Sequence, residues 1–163
     1  MLIRPFLPAD AEPALALFRH TVKTVNRRDY SKEEVAAWLR EEDVTPDMWL
    51  DSFTGKVAFV AIDDNGALTG FVDCNPQTGL IDRLFVAAHR QGEDIGSALL
   101  AQAEAAIECS VSTFTVYASL TARTFFERSG YTVVTPNRVT RTYTHEGRSH
   151  TIVLLNFKMQ KSR

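Results

Sequence analysis

Residues 80–100 constrain this chain more than any other stretch. Leu80-Ile81-Asp82-Arg83-Leu84-Phe85-Val86 is apolar and β-compatible, which predicts a strand. Beyond it, Ile95, Ala98, Leu99, Ala103 and Ala106 fall on one stripe of a helix. Between the two lies a short turn that carries Gly92, with Gly96 just behind it. A strand that stops at such a turn and restarts as a helix leaves several backbone N–H groups unpaired, at the positive end of the helix dipole. That arrangement suits a phosphate group. The competing reading is a plain strand–helix corner whose glycines serve only geometry. Spacing excludes two commoner phosphate loops. There is no Gly-x-x-x-x-Gly-Lys-Ser/Thr, and no Gly-x-Gly-x-x-Gly opens a unit near the N-terminus.

The rest of the chain supplies elements to surround this corner. Leu2–Arg4 predicts a short strand closed by Pro5 and Pro8. Asp10 is placed to cap a helix with Leu15, Phe18, Val22 and Val25 on one side, ending near Asn26. Ser31 and Glu34 form a capping box for a second helix, with Val35, Trp38 and Leu39 inward. A third, from Pro46 to about Phe53, is expected to bury Met48, Trp49 and Phe53. Lys56–Ile62 and Leu68–Cys74 read as strands joined at Asp63–Gly66, where Asn65-Gly66 predicts a primed hairpin turn. With Leu80–Val86 they make an antiparallel meander. Ser112–Ala118 follows a helix and so is expected to run parallel to its predecessor. Ser119–Tyr131 reads as a short helix capped by Ser119 and stopped at Gly130. Thr132–Val134 opens a further strand, Arg138–Thr144 and Ser149–Met159 form a last hairpin, and Lys161–Arg163 is expected to fray.

Length predicts one domain over residues 1–163. With 45% hydrophobic and 23% charged residues, the composition is that of a soluble globular protein. A net charge of −2 offers no basic field for nucleic acid. No apolar run reaches membrane-spanning length and Met1–Pro5 lacks a signal-peptide pattern, so no membrane partner and a cytoplasmic location are expected. Cys74 and Cys109 have neither scaffold density nor CxxC spacing and read as reduced fillers. His20, His89, His145 and His150 show no ligand spacing, so no metal is expected. Arg138, Arg141 and Arg148 cluster on the last hairpin, as a solvated face or as a welcome for an acidic substrate or partner.

Two strings together resemble the GNAT N-acetyltransferases. Gln91, Asp94 and Gly96 stand at the marked positions of that family's Gln/Arg-x-x-Gly-x-Gly/Ala acetyl-coenzyme A turn, and Arg90, Gly92, Ile95 and Ser97 fit its surroundings. Asp94 departs from the usual glycine. Asp tolerates left-handed backbone and caps helices, yet its charge beside a pyrophosphate is unfavourable unless it turns away or Arg90 offsets it. Ser119, Ala122, Phe125, Phe126, Gly130 and Tyr131 match the second motif, Asn-x-x-Ala-x-x-Phe-Tyr-x-x-x-Gly-Phe, with Ser119 at the Asn position. Asp29-Tyr30-Ser31 followed by Ala37-Trp38 resembles a small bacterial branch of the family.

The resemblance implies an α/β (α+β) GNAT fold: a twisted mixed sheet of about six or seven strands with helices on both faces. It implies acetyl-coenzyme A as cosubstrate, and acetyl transfer to a primary amine, on a small molecule or a peptide, by direct attack in a ternary complex. It leaves room for a homodimer. By the same resemblance the backbone of Leu84, Phe85 and Val86 holds the pantetheine, and an N–H of Phe85 or Val86 faces the thioester oxygen. Arg90, Gln91, Gly92, Glu93, Asp94, Ile95, Gly96 and Ser97 take the pyrophosphate. Ser119, Ala122, Phe125 and Phe126 border the thiol, and Val25, Tyr30 and Trp38 the acceptor. Asp82 is the expected base, with Asp73 as second candidate and a surface ion pair as the competing reading of Asp82. Phe126 stands where the family commonly has the tyrosine acid, so Tyr117, Tyr143 or water serves instead, or the thiolate leaves without an acid. Asp94 and Phe126 also motivate an alternative: a GNAT-fold acyl-coenzyme A sensor or regulatory module without efficient catalysis.

Overall fold

The computed structural model describes residues Met1–Arg163. Its strands are β1 (Leu2–Pro5), β2 (Val57–Ile62), β3 (Leu68–Asn75), β4 (Leu80–Val86), β5 (Thr113–Ser119), β6 (Thr132–His145) and β7 (Arg148–Ser162). The helices are α1 (Ala11–Thr24), α2 (Lys32–Leu39), α3 (Pro46–Asp51), α4 (Ile95–Ala106) and α5 (Arg123–Arg128). One seven-stranded sheet runs β1-β2-β3-β4-β5-β7-β6, and only β4–β5 is parallel. The expected mixed sheet with helices on both faces is therefore present.

Each face of the sheet carries its own core. Phe18, Trp49, Phe53 and Phe71 pack beneath α1–α3. Ile81, Leu99, Val116 and Met159 pack beneath α4. Gly70 permits the second packing, because a Cβ there would lie 2.9 Å from Leu99 Cδ1.

Two features of β4 shape the centre of the sheet. Its pairing with β5 is confined to Leu80–Thr115 and Ile81–Val116, after which the strands diverge. Gly79 fixes the apex of that divergence: its φ is +78°, and a Cβ would lie 2.5 Å from the Thr113 carbonyl oxygen. The second feature is a bulge. Asp73 pairs with Arg83 and Cys74 with Ile81, so Asp82 is the extra residue. Ile81 consequently packs on the α4 side, while Arg83 and Phe85 join the aromatic side.

Several local expectations are corrected. Asp10 stands at the N-cap position of α1 but makes no cap bond; its carboxylate accepts two Arg4 guanidinium nitrogens, at 2.7 and 2.8 Å, and the Leu7 N–H, which lower its pKa. Met48 is not inward but 51% exposed, because α3 is only six residues long and turns Trp49 to the core. The Asp63–Gly66 turn is not primed. Asp64 and Asn65 keep negative φ, Gly66 alone is left-handed, and the Asp63 carboxylate accepts the N–H groups of Asn65 and Ala67. Ser119 does not stand at the helix cap; Ala122 does, and Ser119 Oγ accepts its N–H at 3.0 Å. The Lys161–Arg163 end is not frayed. Lys161 Nζ bonds the Glu104 carboxylate at 2.9 Å, and the Arg163 guanidinium donates to the carbonyls of Ile107, Glu108 and Val111. No helix is long and apolar enough to cross a membrane.

Candidate active site

The divergence of β4 from β5 opens a cleft of about 1100 Å³. Its β4 wall has a definite hydrogen-bonding character. The Ala87 N–H bonds the Thr69 carbonyl, and Phe71 pairs with Phe85. In an antiparallel ladder the bonded positions alternate, so the Phe85 N–H is turned to β3. The N–H groups of Leu84 and Val86 are turned the other way, into the space β5 has vacated. Val86 is thus the member of the Phe85/Val86 pair whose N–H faces the cleft. Its carbonyl also points there, accepting Gln91 Nε2 at 2.8 Å and Thr21 Oγ1 at 3.3 Å.

The turn into α4 follows at once. Gly92 has φ +82°, and Asp94 is left-handed at φ +59°, ψ 7°. Asp94 occupies the cap position without making a side-chain cap bond, so the first N–H groups of α4 have no side-chain acceptor. Space beside Gly92 is open. At Gly96 a Cβ would stand 3.3 Å from the Phe125 ring, which is how α4 lies close on α5. Arg90 is held by Glu93 at 2.8 Å and Asp63 at 3.5 Å, not by Asp94.

The bulge puts Asp82 and Arg83 side by side opposite Asp73. Lys56 Nζ binds Asp82 and lies 3.4 Å from Asp73. Asp73 is fully enclosed; it accepts the Arg83 side chain and the Arg83 N–H, while Arg83 also reaches Ser52 Oγ at 2.8 Å and stacks over Phe53 and Trp49. Asp82 is 43% exposed and lines the cleft, whereas Asp73 does not. Of the two carboxylates, only Asp82 is free to meet a ligand.

A strand splay, outward N–H groups, an uncapped helix start and the accessible Asp82 carboxylate thus share one cleft. A family model described as "Acetyltransferase (GNAT) domain" matches residues 26–146. The chain belongs to the GNAT acetyltransferase family. It is 31% identical over 137 residues to the uncharacterized N-acetyltransferase YafP of Escherichia coli K12, covering 84% of this chain and 85% of YafP. Among solved structures it is similar to a GCN5-related N-acetyltransferase of Rhodopseudomonas palustris, also called an aminotransferase, class II. That match has a TM-score of 0.84, 29% identity, and coverage of 99% of this chain and 95% of the other. The PaiA N-acetyltransferase of Thermoplasma acidophilum, solved with coenzyme A, shares the fold at TM-score 0.74 and 20% identity, covering 99% and 98%.

Against this GNAT frame most of the residues singled out in the sequence converge; Glu93, Tyr143 and Asp73 do not. Val25, Tyr30, Trp38, Asp82, Leu84, Phe85 and Val86 line the cleft, as do Arg90, Gln91, Gly92, Asp94, Ile95, Gly96 and Ser97. So do Tyr117, Ser119, Ala122, Phe125 and Phe126. Glu93 does not; it lies outside, paired to Arg90. Tyr143 also lies elsewhere, buried and stacked on His150, which leaves Tyr117 as the candidate acid at the cleft. Tyr30 lines the wall, but its hydroxyl donates to the Leu155 carbonyl at 2.7 Å and accepts the Leu120 N–H at 2.9 Å. Burial raises its pKa. Cys74 is sealed beneath α4, and burial pushes its thiol up to about 11, which removes it as a nucleophile.

Sequence reasoning passed over Arg40, Asn137 and Asn156, all in the lining. Arg40 carried a signal: it follows the capped α2 where a glycine commonly stops a helix. The Asn137–Asn156 pair, 2.8 Å apart, depends on the β6–β7 register, which no local pattern specifies.

Proposed function

We propose that this chain, as one domain over residues 1–163, transfers an acetyl group from acetyl-coenzyme A to a primary amine in a ternary complex. The observation that carries the reading is the joint opening of the Val86 N–H, the uncapped start of α4 and the Asp82 carboxylate onto one cleft. The backbone of Leu84 and Val86 holds the pantetheine as an added strand would be held. The N–H groups at 92–97 receive the pyrophosphate. Acetyl-coenzyme A supplies the acetyl group and a thiolate leaving group.

Asp82 takes a proton from the incoming ammonium, whose ordinary pKa is about 10.4, and exchanges its bond to Lys56 for one to the amine. The freed nitrogen lone pair forms the C–N bond as the C–S bond breaks. The Val86 N–H donates to the oxygen on which charge collects. Tyr117, 47% exposed at the cleft, donates its proton to the departing sulfur and regains one as the acylated nitrogen releases its second proton through water. No cysteine relay is used, and both thiols are free, in keeping with a cytoplasmic setting.

Phe126, enclosed between Phe125 and Tyr131, offers no proton and favours the second reading, an acyl-coenzyme A sensor. Calorimetric titration of acetyl-coenzyme A into wild type and Asp82→Asn, with thiol release over an amine panel, separates the two. Binding by both with turnover reduced about 10²- to 10⁴-fold in the variant is expected. Binding without turnover on any amine selects the sensor, and no binding sinks both readings.

A further inference from the structure

The end of the cleft bounded by α2 and β6 holds two arginines whose Nε groups find no hydrogen-bond acceptor in the protein. Arg40 and Arg141 both line it, and the Nε of each is enclosed with no hydrogen-bond acceptor. Arg141 pairs with no carboxylate. The nearest to Arg40 is Asp43, 3.9 Å away, and Asp43 already accepts the Thr144 N–H at 2.8 Å. The other cleft cations nearer the bulge and the turn are differently placed: Arg83, Lys56 and Arg90 are each on carboxylates. A guanidinium cannot shed its proton, so an enclosed Nε–H without an acceptor is left unfavourably unsatisfied, although both side chains are only half-buried.

Three further observations place the pair together and set Arg40 apart. Asp43, three residues after Arg40, holds Thr144, three residues after Arg141, so both side chains rise from one junction. Along β6, Arg141 alternates with Val139 and so shares the cleft face. Arg40 is also left-handed, at φ 46° and ψ 47°. That backbone favours glycine, yet an arginine occupies it. Trp38, Val139 and Leu154 line the apolar wall nearby.

We propose that the acceptor amine carries a carboxylate, and that Arg40 and Arg141 bind it while its amine reaches toward Asp82. The proposal rests on the acetyl-transfer reading above. Planar guanidinium forks match a carboxylate in geometry and charge. The phosphates have their own donors in the N–H groups of the α4 turn.

Matched pairs test this: phenylalanine against phenethylamine, aminobenzoate against aniline, glycyl-leucine against its amide, and phosphoethanolamine against ethanolamine. At least a tenfold higher kcat/KM is expected for a carboxylated member. The pair with the largest ratio tells a free amino acid, an aromatic acid and a peptide terminus apart. Arg141→Gln and Arg40→Gly should abolish that preference, chiefly through KM, while acetyl-coenzyme A titrates as in wild type. Arg40→Gly keeps a residue suited to the left-handed cap, so its loss is not one of folding. Calorimetry with N-acetylphenylalanine gives a readout apart from turnover, and both variants should weaken it at least tenfold. Equal rates within every pair, a preference for the phosphorylated amine, or weakened coenzyme binding in the variants would overturn the proposal. If wild type binds no acetyl-coenzyme A, the acetyl-transfer reading has failed as well, which the first titration reveals separately.

Discussion

Asp94 shows how one residue sets both the strength and the cost of the site. It sits at φ +59°, exposed, with a carboxylate that caps nothing. A glycine would adopt this backbone without the Cβ penalty. It would also remove a negative charge from the mouth of a turn suited to phosphate. Asp94→Gly is therefore expected to tighten acetyl-coenzyme A binding several-fold by calorimetry and to leave the melting temperature equal or slightly higher. An unchanged or weaker affinity would mean that the carboxylate stands clear of the ligand. The left-handed turn was legible in the sequence, because Asp tolerates that backbone better than most residues. The absent cap bond was not, since a left-handed cap residue points its side chain away from the N–H groups it would serve. Asp82 shows the same limit. Its candidacy came from the family resemblance, but its shared side with Arg83 comes from a bulge that alternation alone does not reveal.

At the scale of elements, the tip of the β6–β7 hairpin is tied to the loop after α2. Asp43 accepts the Thr144 N–H at 2.8 Å, and Glu42 accepts those of Glu146 and Gly147 at 2.7 and 3.3 Å. The hydrogen bonds from Thr144 hold the Asp43 pKa below its ordinary 3.8, helped by Arg40. A depressed carboxylate stabilises the closed hairpin above its ordinary pKa, and that contribution is lost as pH falls through the lower bound value. The Thr144 amide shift should thus stay flat from about pH 8 to 5 and move only below about pH 4, and Asp43→Asn should abolish the step. A midpoint above the ordinary carboxylate value would contradict this linkage. Capping and glycine signals made α2, α4 and the meander legible, because each is decided within one turn of chain. The hairpin tie joins residues 101 apart in sequence, and the length of β6 follows from pairing with β7, so neither was readable locally.

For the whole molecule, the cleft exists because the sheet is nearly cut in two. Only two residue pairs join β4 to β5, and beyond them the β1–β4 wing with α1–α3 meets the β5-β7-β6 wing across the cleft. Something other than the sheet ladder must hold the wings at a fixed opening. Tyr30 does so from the α1–α2 connection: its ring packs edge-on to Trp38, and its hydroxyl bonds both Leu155 on β7 and Leu120 beyond β5. Tyr30→Phe keeps the ring and deletes both bonds, leaving a carbonyl and an N–H without their partner. A loss of about 1–3 kcal/mol is expected, or a melting temperature lower by roughly 2–10 °C. The variant separates two roles for this cleft-lining residue. If Tyr30 acts by spacing the wings, saturating acetyl-coenzyme A should stabilise the variant less than wild type, because binding must then also restore the opening. If it acts only on the acceptor, the ligand-induced shift in melting temperature should match that of wild type, and the defect should appear in the KM for the amine alone.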